Sequence, residues 1–469
     1  MKMDRATNQS DESTDLCSNE TVQRGEPMAT ARIQRLERAP LSPQEEVFKK
    51  EIHQELLKVV DLALINTLPE VDAREQLRQI SQQLIDASTL PINRVIRNRI
   101  VKQIEDEVMG LGPLEPLLAD ADVADILVNG HKAIYVERKG KLEKTDVRFN
   151  DEAHLRNIID RIVSSVGRRI DESSPMVDAR LKDGSRVNII IPPLAIDGAM
   201  MSIRRFTLTR LDMSNLVDLG SVPPIATKLL AAVVKGRLNV LVSGGTGSGK
   251  TTLLNILSGY IPDDERIVTI EDSAELQMQQ PHVVRLETRP SNIEGKGEVT
   301  QRDLVKNALR MRPERIVIGE VRGVEAFDML QAMNTGHDGS LTTIHANTAR
   351  DALSRVENMV MMSGIELPLK TVRQQISSAI HVVLQIQRFE DGRRRLVSMQ
   401  EINGMEGEVV TMSELLSFHR RGIDENGKVF GVFKATGIVP GFYEHMIQRG
   451  IDLPMSLFDP DQEWSDKNE

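Results

Sequence analysis

At 469 residues the chain exceeds what one hydrophobic core serves and predicts about three domains of roughly 150 residues each. Its 40% hydrophobic and 27% charged residues place it among soluble globular proteins, and a net charge of −10 argues against a primary role on nucleic acid. Cys17 is the only cysteine, which excludes an intrachain disulfide and a cysteine-based metal knuckle and points to a reducing compartment, the cytoplasm.

Residues 1–42 mix Asp, Glu, Ser, Thr, Arg and Gln with isolated apolar positions, too few to offset the ordering entropy of a fold, and are expected as a disordered tail. Between 43 and 109, helical spacing recurs in Val47 to Leu64, in Leu77 to Ile85, and in Ile92, Val95, Ile96, Ile100, Ile104 and Val108. Leu68-Pro69 and Leu90-Pro91 separate these stretches, so a three-helix bundle is predicted, with Arg94, Arg97 and Arg99 on its solvated face.

Gly110, Gly112, Pro113 and Pro116 open the next region, 110–206. It carries strand-like runs at Asp125 to Val128 and Ile134 to Glu137, a helix over about 151–166, and a hairpin turning at Asp183-Gly184 with Val187 to Ile191 on its return arm. These features predict a mixed α/β domain. Residues 207–224, closing with Val222-Pro223-Pro224, read as a linker and hinge.

From 225 to 458 strands and helices alternate, the signature of a largely parallel α/β sheet, before an acidic tail at 459–469. The predicted strands are Leu238 to Ser243, Arg266 to Ile270, Arg315 to Ile318, Ser340 to His345 and His381 to Gln387. Helices are predicted at Lys250 to Tyr260, Thr300 to Met311, Val324 to Asn334 and Ala349 to Met362, with a capping box at Thr300 and Asp303 and a stop at Gly336. No apolar run approaches the roughly 18 to 20 residues that span a bilayer, so any membrane association is expected through a partner.

Gly244-Gly245-Thr246-Gly247-Ser248-Gly249-Lys250-Thr251-Thr252 contains the pattern G-x-x-x-x-G-K-[ST] between an apolar strand and a helix. Glycines let successive backbone N–H groups point at one phosphate chain, and the helix adds the positive end of its dipole. Lys250 is expected to reach the β and γ phosphates of ATP, and Thr251 to offer its hydroxyl to Mg²⁺. The next strand runs into Glu271 and Asp272, where a carboxylate can orient an attacking water. The run Arg315 to Glu320 resembles a Walker B segment, in which Glu320 holds Mg²⁺ directly or through water. His337 and His345 flank the strand after it, and His345 is placed to sense the γ-phosphate. Arg186, Arg204, Arg205 and Arg210 lie in or just after the domain before the linker, a source of cations against transition-state charge.

With these motifs in this order, the chain resembles the secretion ATPase superfamily of type II and type IV secretion, and within it the CpaF-like branch of Flp (tight-adherence) pilus assembly. The resemblance spans roughly 45–455 and rests on Gly244 to Thr252, the acidic box Thr269 to Leu276, the Walker B run ending at Glu320 and the histidine box Gly336 to His345. It implies a RecA-like P-loop core preceded by a PAS-like mixed α/β domain and a helical bundle. It also implies a homohexamer that turns over ATP at the cytoplasmic face of the bacterial inner membrane against a membrane platform protein. Carried over by position, Glu271 becomes the general base, Glu320 the Walker B acid, His345 the histidine-box residue, and Arg186 and Arg204 the nucleotide-facing arginines. Arg205 and Arg210 are further candidates. The four-cysteine zinc element of many type II relatives is missing here, which favours the CpaF-like branch.

Two other readings compete. A RecA-like motor that translocates nucleic acid meets the acidic balance and the scarcity of aromatics, 3% of residues, as objections. A nucleotide-binding scaffold without turnover is opposed by the joint presence of Lys250, Glu271 and Glu320.

Overall fold

The computed structural model describes residues 41–465 except 62–64, 66, 89, 91, 139, 206–210 and 292–295. The expected tail 1–42 lies outside the described residues but for its last two positions. The chain divides into two compact units, one running to Arg205 without 139–141, the other from Phe206 onward together with 139–141.

The first unit begins with three helices, α1 (Pro43–Val59), α2 (Glu70–Asp86) and α3 (Arg94–Met109). Ser42 and Glu45 form a capping box ahead of Pro43, and Asn93 caps α3, satisfying backbone N–H groups that a helix start leaves open. Phe48, Ile52, Leu56, Leu77, Ile100 and Ile104 are buried together, at the spacing the sequence displayed. The short helix α4 (Glu115–Ala119) leads into β1 (Val123–Asn129), β2 (Ala133–Arg138), β3 (Lys141–Lys144), helix α5 (Glu152–Ser165), β4 (Met176–Arg180), β5 (Arg186–Ile190) and β6 (Met200–Arg204). The strands form one sheet in the order β3-β2-β1-β6-β5-β4. Alternation puts Ile126, Val128, Val187, Ile189, Met201 and Ile203 against Leu155, Ile158, Ile159 and Ile162 of α5. The expected mixed α/β domain is thus a sheet whose helix covers one face, with a core separate from that of the bundle.

The second unit starts with α6 (Met213–Asp218) and α7 (Pro224–Lys235). Of the expected linker 207–224, Met213, Leu216 and Val222 are buried in the core of this unit, because α6 and α7 pack there, and 207–210 lie outside the described residues. Then come β7 (Val240–Gly244), α8 (Lys250–Ser258), β8 (Ile267–Glu271), β9 (Val283–Glu287), α9 (Gln301–Ala308), β10 (Arg315–Val321), α10 (Glu325–Asn334), β11 (Leu341–Ile344), α11 (Ala349–Met361), α12 (Leu369–Ala379) and β12 (Val382–Arg388). The chain closes with β13 (Arg394–Glu406), β14 (Val409–Ile423), β15 (Val429–Ala435), α13 (Tyr443–Gln448) and β16 (Glu463–Ser465).

The ten described strands of this unit, β7 to β16, share one sheet, ordered β16-β15-β14-β13-β12-β7-β11-β10-β8-β9. The segment from β12 to β9 is parallel, and β13 to β16 extend it antiparallel. Neighbouring residues of one strand feed opposite cores: Val240 and Val242 join α7 and α8, whereas Leu241 joins α10, α11 and α12. The segment 438–458 packs Phe442, Met446, Leu453, Leu457 and Phe458 into the α7 side of the core. Buried Glu401 fastens it by accepting the N–H groups of Gly441 (2.9 Å) and Phe442 (3.1 Å).

The amino ends of the central strands are pinned by one side chain. Asn239, fully buried, donates from Nδ2 to the Ala379 carbonyl (2.7 Å) and accepts the Ser340 N–H at Oδ1 (2.9 Å). Its own N–H donates to His381 Nδ1 (2.9 Å). β7, β11 and β12 are thereby set level at one end, and parallel register carries the alignment to the other. Asn239→Ala strands a buried N–H and a buried carbonyl, so a loss of about 2–4 kcal/mol is expected, read as a lower urea midpoint for the second unit. An unchanged midpoint would deny this side chain its pinning role.

Candidate nucleotide site

The phosphate-loop motif occupies the turn between β7 and α8. Gly247 (φ 66°) and Gly249 (φ 96°) adopt left-handed backbone that residues with a Cβ seldom take, and α8 begins directly at Lys250. Inside the turn the Gly245 carbonyl oxygen gathers the Lys250 ammonium (3.1 Å), the Ser248 hydroxyl (2.9 Å) and the Ser248 N–H (3.4 Å). Lys250 is 8% exposed, and burial lowers its pKa, opposed by the nearby Glu320 carboxylate. Thr251 and Thr252, half-buried, lie in the first turn of α8.

Glu271 ends β8 and is 3% exposed. Its Oε2 accepts the N–H groups of Glu275 (2.7 Å) and Leu276 (2.9 Å), while its buried Oε1 has no hydrogen-bond partner. Burial pushes its pKa up to about 7, against the lowering effect of those two N–H groups. Gly319 on the adjacent β10 makes the room, since a Cβ there would stand 2.9 Å from Glu271 Cγ.

Glu320, near the end of β10, accepts from Arg322 Nη2 (2.7 Å), and Arg322 Nη1 stands 3.6 Å from Asp272 Oδ2. His345, just past β11, has Nε2 3.9 Å from Glu320 Oε1. Burial, then the Lys250 charge, lowers its pKa, so the ring is neutral at physiological pH. His337 lies at the opposite, amino end of β11, with Nδ1 3.2 Å from the Ala332 carbonyl. Lys250, His345, Glu320 and Glu271 therefore follow or end four neighbouring strands, β7, β11, β10 and β8, at the carboxyl edge where such sheets bind ligands.

The arginines fall in the first unit. Arg186 and Arg204 are directly opposed on β5 and β6, on the sheet face that α5 leaves uncovered. Arg180 of β4 opposes Arg186, and Asp125 of β1 opposes Arg204, so three arginines and one aspartate form a row across four strands. Arg186 Nε is 3.5 Å from Asp178 Oδ1, and Arg204 Nε is 3.4 Å from Asp125 Oδ1. Like charges opposed across strands repel. Arg205 is used differently: it donates to the backbone carbonyls of Asp120 and Val123. Arg210 lies outside the described residues.

Sequence reasoning passed over Arg322 and Arg180. The signal for Arg322 was present, because it stands only two positions after Glu320, just past the end of β10. Arg180 becomes visible only through cross-strand register.

The residues suit a magnesium nucleotide. Convergent N–H and ammonium donors in a glycine-rich cradle match a phosphate chain, and the hydroxyl of Thr251 with the carboxylate of Glu320 is the oxygen donor set that Mg²⁺ prefers. Glu271 Oε1 retains an acceptor position for a water.

A family model described as type II/IV secretion system protein matches residues 107–413. A Mycobacterium tuberculosis (strain ATCC 25618 / H37Rv) protein named for conjugal transfer is 40% identical over 315 residues, covering 66% of this chain and 89% of that protein. The type IV secretion system protein PtlH of Bordetella pertussis is 34% identical over 323 residues, covering 63% of this chain and 95% of its own. Among solved structures, the VirB11 ATPase of the Brucella suis type IV secretion system is 29% identical, covers 62% of this chain and 95% of its own, and has a TM-score of 0.33.

The burial of Glu271 has a consequence for stability. Its folded pKa of about 7 exceeds the ordinary 4.5, so the folded state binds the proton more tightly. Stability is therefore expected to fall as pH rises from about 4.5 through 7, by up to about 3 kcal/mol. Denaturation midpoints across this window should decline for the native chain and less steeply for Glu271→Gln; equal slopes would remove the claim.

Proposed function

This chain belongs to the family of type II/IV secretion system proteins, and on that premise we propose that it is an ATP-hydrolysing motor for pilus assembly or secretion, of the CpaF-like kind. It works as a homohexamer at the cytoplasmic face of the inner membrane, pushing on a membrane platform protein. Among the described residues no helix is long and apolar enough to cross a membrane. The observation that carries the reading is the convergence of Lys250, Glu271, Glu320 and His345 on four neighbouring strand ends beside the phosphate loop.

In this reading the amides of Gly247 to Lys250 and the Lys250 ammonium take the β and γ phosphates, in competition with the Gly245 carbonyl, which now holds the Ser248 N–H and the Lys250 ammonium. Thr251 and Glu320 would hold Mg²⁺, which when bound would supply positive charge against the phosphates. Arg322 then releases Glu320 toward Asp272, its other carboxylate neighbour. Glu271 Oε1 accepts the proton of the attacking water as the new bond to the γ-phosphorus forms and the bond to the bridging oxygen of ADP breaks. Neutral His345 donates to the γ-phosphate, and Arg186 and Arg204 counter the charge that spreads over it. The product states, ADP and phosphate, no longer bridge these groups, which is how turnover becomes movement.

Movement of nucleic acid is the second reading, favoured by a relative named for conjugal transfer and opposed by the acidic balance of the chain. ATPase activity stimulated by DNA in a salt-sensitive manner would select it.

Phosphate release and particle mass, measured on one purified sample with ATP and Mg²⁺, test the proposal. Lys250→Ala should release no phosphate above background, and normal turnover there would refute the site. Glu320→Gln should still bind the nucleotide while kcat drops at least about a hundred-fold; loss of binding instead would contradict its role. Because Glu271 must be ionised to act as base, kcat/KM should climb with pH and level off above about 7. A profile flat from pH 5 to 9 on the order of experimental error would remove Glu271 from that role.

A further inference from the structure

The hairpin of β12 and β13 lies along the phosphate loop within the same unit. Ile386 of β12 pairs with Gly244 of β7, so β12 runs beside the strand that enters the loop. Two residues on, Arg388 shares the face of Ile386, and Arg394 of β13 is directly opposed to Arg388. That face touches the loop: Ile386 Cδ1 and Arg394 Cδ lie 3.7 Å and 3.2 Å from where a Cβ on Gly249 would stand. Arg388 Nη1 lies 3.1 Å from the corresponding point on Gly247. Arg394 Nε donates to the Gly247 carbonyl oxygen (2.9 Å).

That last contact matters because of peptide planarity. In a trans peptide the C=O of one residue and the N–H of the next point in opposite directions, so fixing the Gly247 carbonyl fixes the Ser248 N–H. The Ser248 N–H indeed points to the inside of the turn, at the Gly245 oxygen that Lys250 also reaches. Glycine at 247, in left-handed backbone, gives this peptide little resistance to rotation of its own. A guanidinium on the carbonyl also polarises the peptide and strengthens its N–H as a donor.

We propose that Arg394 is a positioning residue for the nucleotide: it pins the Gly247–Ser248 peptide so that the Ser248 N–H faces the phosphate, with Arg388 adding positive potential on the same flank. The inference rests on the nucleotide-motor reading and names a contribution from outside the phosphate loop and the acidic strand ends. It requires that the effect appear in nucleotide affinity and not in the chemical step, because Arg394 acts through a peptide that holds phosphate in ground and transition states alike.

The test compares Arg394→Ala and Arg394→Lys with the native chain, measuring KM and kcat for MgATP and the melting temperature without nucleotide. For Arg394→Ala, KM should rise about ten-fold or more, the value of one charged hydrogen bond, with kcat within about two-fold and the nucleotide-free melting temperature unchanged. Arg394→Lys should recover part of the affinity, since an ammonium can still donate to the Gly247 carbonyl. An unchanged KM in Arg394→Ala overturns the inference while leaving the motor reading intact. So does a fall in melting temperature shared by the Ala and Lys variants, which would make Arg394 a strut of the hairpin. A native chain that neither binds nor hydrolyses MgATP sinks the motor reading, and this inference with it.

Discussion

The geometry of the second unit depends on the hydrogen bonds of Asn239. One buried carboxamide joins the start of β7 to the Ser340 N–H ahead of β11 and to the Ala379 carbonyl ahead of β12. Neutral His381, its pKa lowered by burial, accepts the Asn239 N–H and completes the knot. Buried polar groups cost free energy unless each finds a partner, so this arrangement tolerates only one register. Buried Arg315 does the same for β10, with Nη1 donating to the Val234 carbonyl (2.8 Å) and Nη2 paired to Glu265 Oε1 (3.1 Å). Strands set level at their amino ends deliver their carboxyl ends to one edge, and the candidate site is that edge.

At the edge, charge and solvent are kept in tension. Lys250 is a buried ammonium directed at a neutral carbonyl, and Glu271 is a buried carboxyl held near neutrality. Neither state is the most stable one these side chains could have in water. Both are the states that a phosphate chain and an attacking water would complete, which is why a buried ammonium at a glycine-lined turn and a buried carboxyl at a strand end are better explained by a ligand than by folding stability. Arg322 neutralises Glu320 meanwhile, so the acidic edge is not left unbalanced.

The first unit presents a related strain. Its sheet buries one face under α5 and leaves a row of Arg180, Arg186 and Arg204 on the other, closed at one end by Asp125. Two aspartates offset part of the repulsion at distances near the limit of an ion pair.

The chain alone determined the elements with strong periodicity or fixed turn chemistry. The phosphate loop, the five central strands, the Thr300–Asp303 capping box and the helices of the bundle are legible because each is set by residues within a few positions of one another. Glu271, Glu320 and His345 could be named from the ends of strands for the same reason. Only the tertiary structure decided the rest. β9 is a half-exposed edge strand, and β13 to β16 take their partners from neighbours in a sheet that no local pattern announces. Met213 and Leu216 looked like linker because the core that buries them is built from residues up to Phe458. The contact of Arg394 with Gly247 spans a separation of 147 residues. Side-chain pairs at such distances are fixed by register and burial acting on the whole sheet, and a sequence carries that information only in sum.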